Sequence, residues 1–132
     1  MIICEKFLEN KDSSPLLDYK FYCFGGKVKA VLVIARPEDG DKAAVFMSPD
    51  WQVISRAAKI YKETLTPEKP KNLQDMFEAA EKLSQPFPFV RVDFYNCNGK
   101  ALFGEMTFTP AAGVFTSETE VDGKTMGELL SI

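Results

Sequence analysis

The 132-residue chain contains no histidine, three cysteines and one tryptophan. Without histidine there is no Ser–His or Cys–His catalytic arrangement, no histidine-bound zinc, and none of the commonest general base. The cysteines, Cys4, Cys23 and Cys97, are odd in number and widely spaced. They read as reduced, buried thiols of a cytosolic protein, not as a disulfide frame or a zinc site. No apolar run is long enough to span a membrane, and the opening Met1-Ile2-Ile3-Cys4 meets charge at Glu5, unlike a signal peptide. A net charge of −3 with no Lys/Arg run argues against a nucleic-acid surface. Repeats and low-complexity segments are also lacking. What remains is an ordinary globular composition, 45% hydrophobic and 27% charged, with Phe abundant at 11. The length suits one domain, residues 1–132, around a single aromatic-rich core.

The most informative stretch is residues 87–113. Val90, Val92 and Phe94 alternate with Arg91, Asp93 and Tyr95, the period of a half-buried strand. A second strand follows, with Leu102, Met106 and Phe108 on one face and Phe103, Glu105 and Thr107 on the other. Asn98-Gly99 between them is a hairpin signal. A two-residue turn would put Arg91 and Asp93 on the face opposite Glu105. A three-residue loop over residues 97–99, with Gly99 left-handed as a bulge residue, puts all three on one face, Arg91 opposite Glu105 and Asp93 diagonal to both. The second register is expected because it aligns both apolar rows.

Two carboxylates beside one arginine admit two readings. One is a magnesium and phosphate site: Mg²⁺ commonly takes one or two carboxylates plus nucleotide oxygens, and the forked guanidinium suits phosphate. The other is a cross-strand salt bridge between Arg91 and Glu105, a common and weakly stabilising arrangement.

Elsewhere the pattern predicts a strand at residues 1–8, apolar on both faces, then a polar loop over 9–17. A hairpin follows: strands 18–24 and 27–35 turning at Gly25-Gly26. After a charged turn at 36–41, a strand at 42–48 pairs back with residues 51–54, and Trp51 is a core or sheet-covering residue. Ile54, Ala57, Ala58 and Tyr61 also have helical spacing. Residues 73–84 form the clearest helix, with Leu73, Met76, Phe77, Ala80 and Leu83 as its apolar stripe and Asn72 as its cap. Residues 117–123 are a polar loop and 125–130 a short closing helix. The sum is an α+β fold, a mainly antiparallel sheet with covering helices.

Arg91-Val92-Asp93, a hairpin, and Gly104-Glu105-Met106-Thr107-Phe108-Thr109-Pro110 resemble the metal-binding end of the ATP-grasp superfamily, where an R-x-D strand precedes E-x-N and a Pro-Gly turn. With Asp18-Tyr19-Lys20-Phe21-Tyr22-Cys23-Phe24, Glu81-Lys82-Leu83-Ser84 and Phe87-Pro88-Phe89-Val90, the chain is similar to the TupA-like ATP-grasp family. That family is associated with teichuronopeptide and capsular polysaccharide biosynthesis and is often labelled glycosyltransferase. The resemblance implies the C-terminal subdomain of the ATP-grasp fold, starting at the hinge, with the first nucleotide-binding lobe absent.

ATP and Mg²⁺ are the cofactors it implies, in a carboxylate–amine ligase of the cytoplasm that activates a carboxylate as an acyl phosphate for attack by an amine. Glu5, Lys6, Phe7 and Leu8 would face adenine through backbone groups, and Asp18 the ribose. Lys20 would reach phosphate, Arg91 would stabilise the transferring phosphoryl group, and Asp93, Glu105 and Thr107 would serve the metal. Thr107 stands for the superfamily's asparagine; its neutral hydroxyl suits a metal-bound water. A half-cleft implies inactivity alone, and a second copy or the missing lobe as partner. The alternative is a non-catalytic remnant or interaction domain.

Overall fold

The computed structural model describes residues 8–37, 41–56, 63–108, 120–121, 124–125 and 128–129. The expected strand at 1–8 lies outside them except for Leu8, which is in a loop, as do the helical positions Ala57, Ala58 and Tyr61, and Ala111-Ala112-Gly113.

One sheet dominates. It is built from β1 (Leu17–Phe24), β2 (Lys27–Ala35), β3 (Ala43–Met47), β4 (Val53–Arg56), β5 (Glu63–Thr64), β6 (Phe89–Cys97) and β7 (Lys100–Thr107). The order is β4-β3-β2-β1-β6-β7, and every neighbouring pair on this path is antiparallel. The two-residue β5 adds a parallel bridge to β3. A separate small ribbon joins β8 (Glu120–Val121) to β9 (Lys124–Thr125). The α+β expectation holds, with α1 (Leu73–Ser84) the one helix among the described residues. Ile54 is in β4, in line with the expected pairing of residues 51–54 with β3, and the remaining positions of the helical spacing lie outside the described residues. The expected closing helix fails. Thr125 is in β9, so the closing helix does not begin there; pairing with the preceding polar segment competes with a helix too short to hold itself.

The helix covers one face. Leu73, Met76 and Ala80 are buried against Tyr19, Phe21, Cys23, Val31, Val33, Val90, Val92 and Phe94. Phe21 sits at the centre, edge-on to both Phe77 and Phe94. Leu83, expected in the stripe, is 39% exposed, and buried Ser84 takes the last inward position. Trp51 is buried as expected, its Nε1 donating to the Pro67 carbonyl at 3.2 Å. Asn72 makes no side-chain cap. Its amide pairs reciprocally with that of Asn96 on β6, both bonds 3.0 Å, which ties the helix start to the sheet. Two matched amide bonds satisfy a donor and an acceptor on each half-buried side chain, which a single cap bond would not achieve. Cys23 is a buried free thiol, pushed up to about 11 by burial, partly offset by a hydrogen bond with Ser84; Cys97 is free and half-buried.

The other face holds a second apolar cluster of Tyr22, Phe24, Ala30, Leu32, Ile34, Ala44 and Phe46, with Phe89 and Leu129 packed on it. Asp18 and Lys20 of β1 and Arg91 and Asp93 of β6 point to this side, away from α1, whereas Lys27 at the start of β2 pairs with Glu81 of the helix at 3.6 Å.

Candidate functional site

The β6–β7 hairpin sets the site, and its geometry differs from expectation in an instructive way. Cys97 pairs with Lys100, so the turn has two residues, Asn98 (φ 51°) and Gly99 (φ 73°), both left-handed. That is the primed turn whose twist matches the flanking strands. The extra residue lies further along, at Gly104, between the Phe94–Phe103 and Asp93–Glu105 pairs. A bulge there reverses the phase of β7. A Cβ on Gly104 would lie 3.2 Å from the Asp93 carbonyl oxygen, so the residue without one suits the position. Phe103 consequently shares the α1 face with Met106, and Leu102 goes to the other side, the reverse of the expected grouping at those two positions.

The bulge brings Arg91, Asp93, Glu105 and Thr107 to one face, as the three-residue loop was expected to do. The pairing differs: Asp93 lies opposite Glu105 and Arg91 opposite Thr107. Across the sheet, Lys20 of β1 is opposite Asp93, so Lys20, Asp93 and Glu105 form one row over three strands. Tyr22, Arg91 and Thr107 form the next.

The contacts are dense. Arg91 donates through Nε to Asp93 Oδ1 and through Nη2 to Asp93 Oδ2, both at 2.8 Å. The same Nη2 reaches Glu105 Oε1 at 3.0 Å and Thr107 Oγ1 at 3.2 Å. Lys20 Nζ lies 2.7 Å from Asp93 Oδ2 and 3.1 Å from Asp18 Oδ2. Arg36 Nη1 completes the chain at 2.7 Å from Asp18 Oδ2. The sequence of signs, Arg36, Asp18, Lys20, Asp93, Arg91, Glu105, alternates. Asp93 is buried, its side chain 4% exposed, whereas that of Glu105 is 62% exposed and marks the solvent side. Burial alone would lower the Arg91 pKa, but the hydrogen bonds and charge of Asp93, with Tyr22 and Glu105, outweigh it and raise the guanidinium above its usual value. It stays a cation.

Of the residues singled out from the sequence, Asp18, Lys20, Arg91, Asp93, Glu105 and Thr107 are brought together. Glu5, Lys6 and Phe7 lie outside the described residues. Leu8 belongs to the loop whose Glu9 carbonyl accepts from Cys97 Sγ at the hairpin tip, and no described hydrogen bond or ion pair joins it to the charged cluster. Arg36 was missed, being read as part of a charged turn. The signal was available: Leu32 and Ile34 of β2 face this side, and one more step of two reaches Arg36.

Among the described residues, no three His, Cys, Asp or Glu side chains converge as a metal-ligand set. The donors that do converge are two carboxylates and a hydroxyl, all hard oxygens gathered around one nitrogen of Arg91. That set fits an ion such as Mg²⁺ that brings further oxygens on its own substrate, and does not fit a soft or self-sufficient metal site. No helix among the described residues is long and apolar enough to cross a membrane. The chain matches no curated protein and no solved structure. The family model described as TupA-like ATPgrasp matches residues 1–131, and the chain belongs to that family.

Proposed function

We propose that this face takes the phosphate end of ATP together with Mg²⁺, as one lobe of a carboxylate–amine ligase of cell-surface polysaccharide biosynthesis in the cytoplasm. The observation that carries the reading is the convergence of Asp93, Glu105 and Thr107 oxygens within 3.2 Å of a single cationic nitrogen. Asp93 and Glu105 would hold the metal, with Thr107 fixing a water on it; the ion, when bound, neutralises phosphate charge. Arg91 offers a forked donor to a phosphoryl group, and Lys20 a point charge from the adjacent strand. Asp18 orients Lys20 through the 3.1 Å contact and stands on the ribose side. Glu5, Lys6, Phe7 and Leu8 complete the proposed adenine side through their backbone.

A second reading has its own support. Both oxygens of Asp93 are already engaged, by Arg91 twice and by Lys20. Such saturation suits a structural ion-pair network in a non-catalytic interaction domain. Titration with Mg²⁺ and a non-hydrolysable ATP analogue separates the two. The ligase-lobe reading expects Glu105→Gln to weaken metal binding about tenfold, and Glu78→Gln, on the exposed side of α1, to leave it unchanged. Equal metal binding in the native protein and in both variants would leave the structural network as the better account.

A further inference from the structure

Arg91 stands where the proposed cation belongs. Its Nη2 is 2.8 Å from Asp93 Oδ2, 3.0 Å from Glu105 Oε1 and 3.2 Å from Thr107 Oγ1. Thr107 Oγ1 also lies 3.3 Å from Glu105 Oε1. A divalent ion coordinated by these oxygens at about 2.1 Å would enter the space that the guanidinium fills. An ion centred among the three oxygens and the Arg91 Nη2 that now lies among them cannot occupy that space together.

We infer that Arg91 is an internal competitor for the metal: it holds the carboxylates in the nucleotide-free protein and yields them only when a polyphosphate offers the guanidinium another anion. The inference rests on the reading of this face as a magnesium–nucleotide site. Two features make the exchange conditional. The first is burial. Asp93, with a side chain 4% exposed, needs a permanent partner, and Lys20 reaches only its Oδ2. The second is charge. Asp18, Asp93 and Glu105 balance Lys20, Arg36 and Arg91, so the described network is neutral. A bare divalent ion adds two positive charges and leaves Arg91 without a partner. An ion arriving with a triphosphate brings net negative charge, which the released Arg91 meets. The metal therefore enters with the nucleotide and is not loaded beforehand.

The test is Mn²⁺ and Mg²⁺ titration by calorimetry, without nucleotide, of the native chain and of Arg91→Gln. Removing the competitor should tighten metal binding by about fivefold or more, and adding Glu105→Gln to that variant should abolish the gain. Equal or weaker binding by Arg91→Gln overturns the inference while leaving the site reading intact. No metal uptake by either protein, with or without an ATP analogue, overturns both. If Arg91→Gln does not fold, the Arg91 Nε–H signal of the native protein decides by NMR. It should be unmoved by millimolar Mg²⁺ alone and shift when the analogue is added; a shift on metal alone refutes the competition.

Discussion

Lys20 shows how much one side chain holds on this face. It sits between two buried carboxylates, 2.7 Å from Asp93 and 3.1 Å from Asp18. Asp18 spends one oxygen on Lys20 and Arg36, and its Oδ1 has no hydrogen-bond partner among the described residues. Removing the ammonium leaves each aspartate a single arginine and brings their charges into direct opposition. Breaking a buried pair by deleting one partner costs a few kcal/mol because the remaining charge is stranded in low dielectric. Lys20→Met, which keeps the stem and loses the charge, should lower unfolding free energy by about 3 kcal/mol, read from urea denaturation at neutral pH. A loss below about 0.5 kcal/mol would mean that the two arginines suffice.

At the scale of elements, the β6–β7 hairpin depends on two devices, the Asn98-Gly99 turn and the Gly104 bulge. The turn starts the pairing in the register that would send Glu105 to the α1 face; the bulge corrects it before Glu105 is reached. Deleting Gly104 should therefore preserve the Asp93–Glu105 pairing, since the strands then align without the extra residue. Cross-strand Hα contacts between Asp93 and Glu105 in an NMR spectrum of the deletion variant test this. Their loss would show that the turn does not fix the register. The α1–sheet junction follows the same logic: Asn72 is bound to Asn96 across the fold, and the helix begins without a side-chain cap.

Among the described residues, the main sheet organises the molecule and has two unlike faces. Packing against α1 makes one a closed aromatic core; the other combines an apolar floor with the charged rows. Because the cations of that network are each committed to a carboxylate, the face offers a free triphosphate little net positive potential. The 132-residue chain alone should bind ATP with a Kd near or above about 1 mM and release no ADP above background with Mg²⁺ and a panel of carboxylates and amines. Turnover that disappears in Glu105→Ala would show this expectation wrong. The partner proposed from the sequence, a second copy or a complementary lobe, would supply the missing positive charge; sedimentation of the chain with and without nucleotide reports self-association.

Much of this was legible in residue order because it is local. Alternation marks strands such as Phe89–Cys97, a continuous apolar run marks Lys27–Ala35, a 3.6-residue stripe marks Leu73–Ser84, and Gly25-Gly26 and Asn98-Gly99 mark turns by their backbone freedom. The Arg91–Asp93 and Gly104–Pro110 blocks pointed to the family that residues 1–131 match. What only the tertiary structure decided is which groups meet across strands. A bulge resets a period-two pattern without changing composition, so the faces of Leu102 and Phe103 and the Asp93–Glu105 pairing were not readable from alternation. Asn72 chose Asn96 over its own helix, and Arg36 joined Asp18, because hydrogen-bond and charge partners distant in sequence become neighbours only once the register is set.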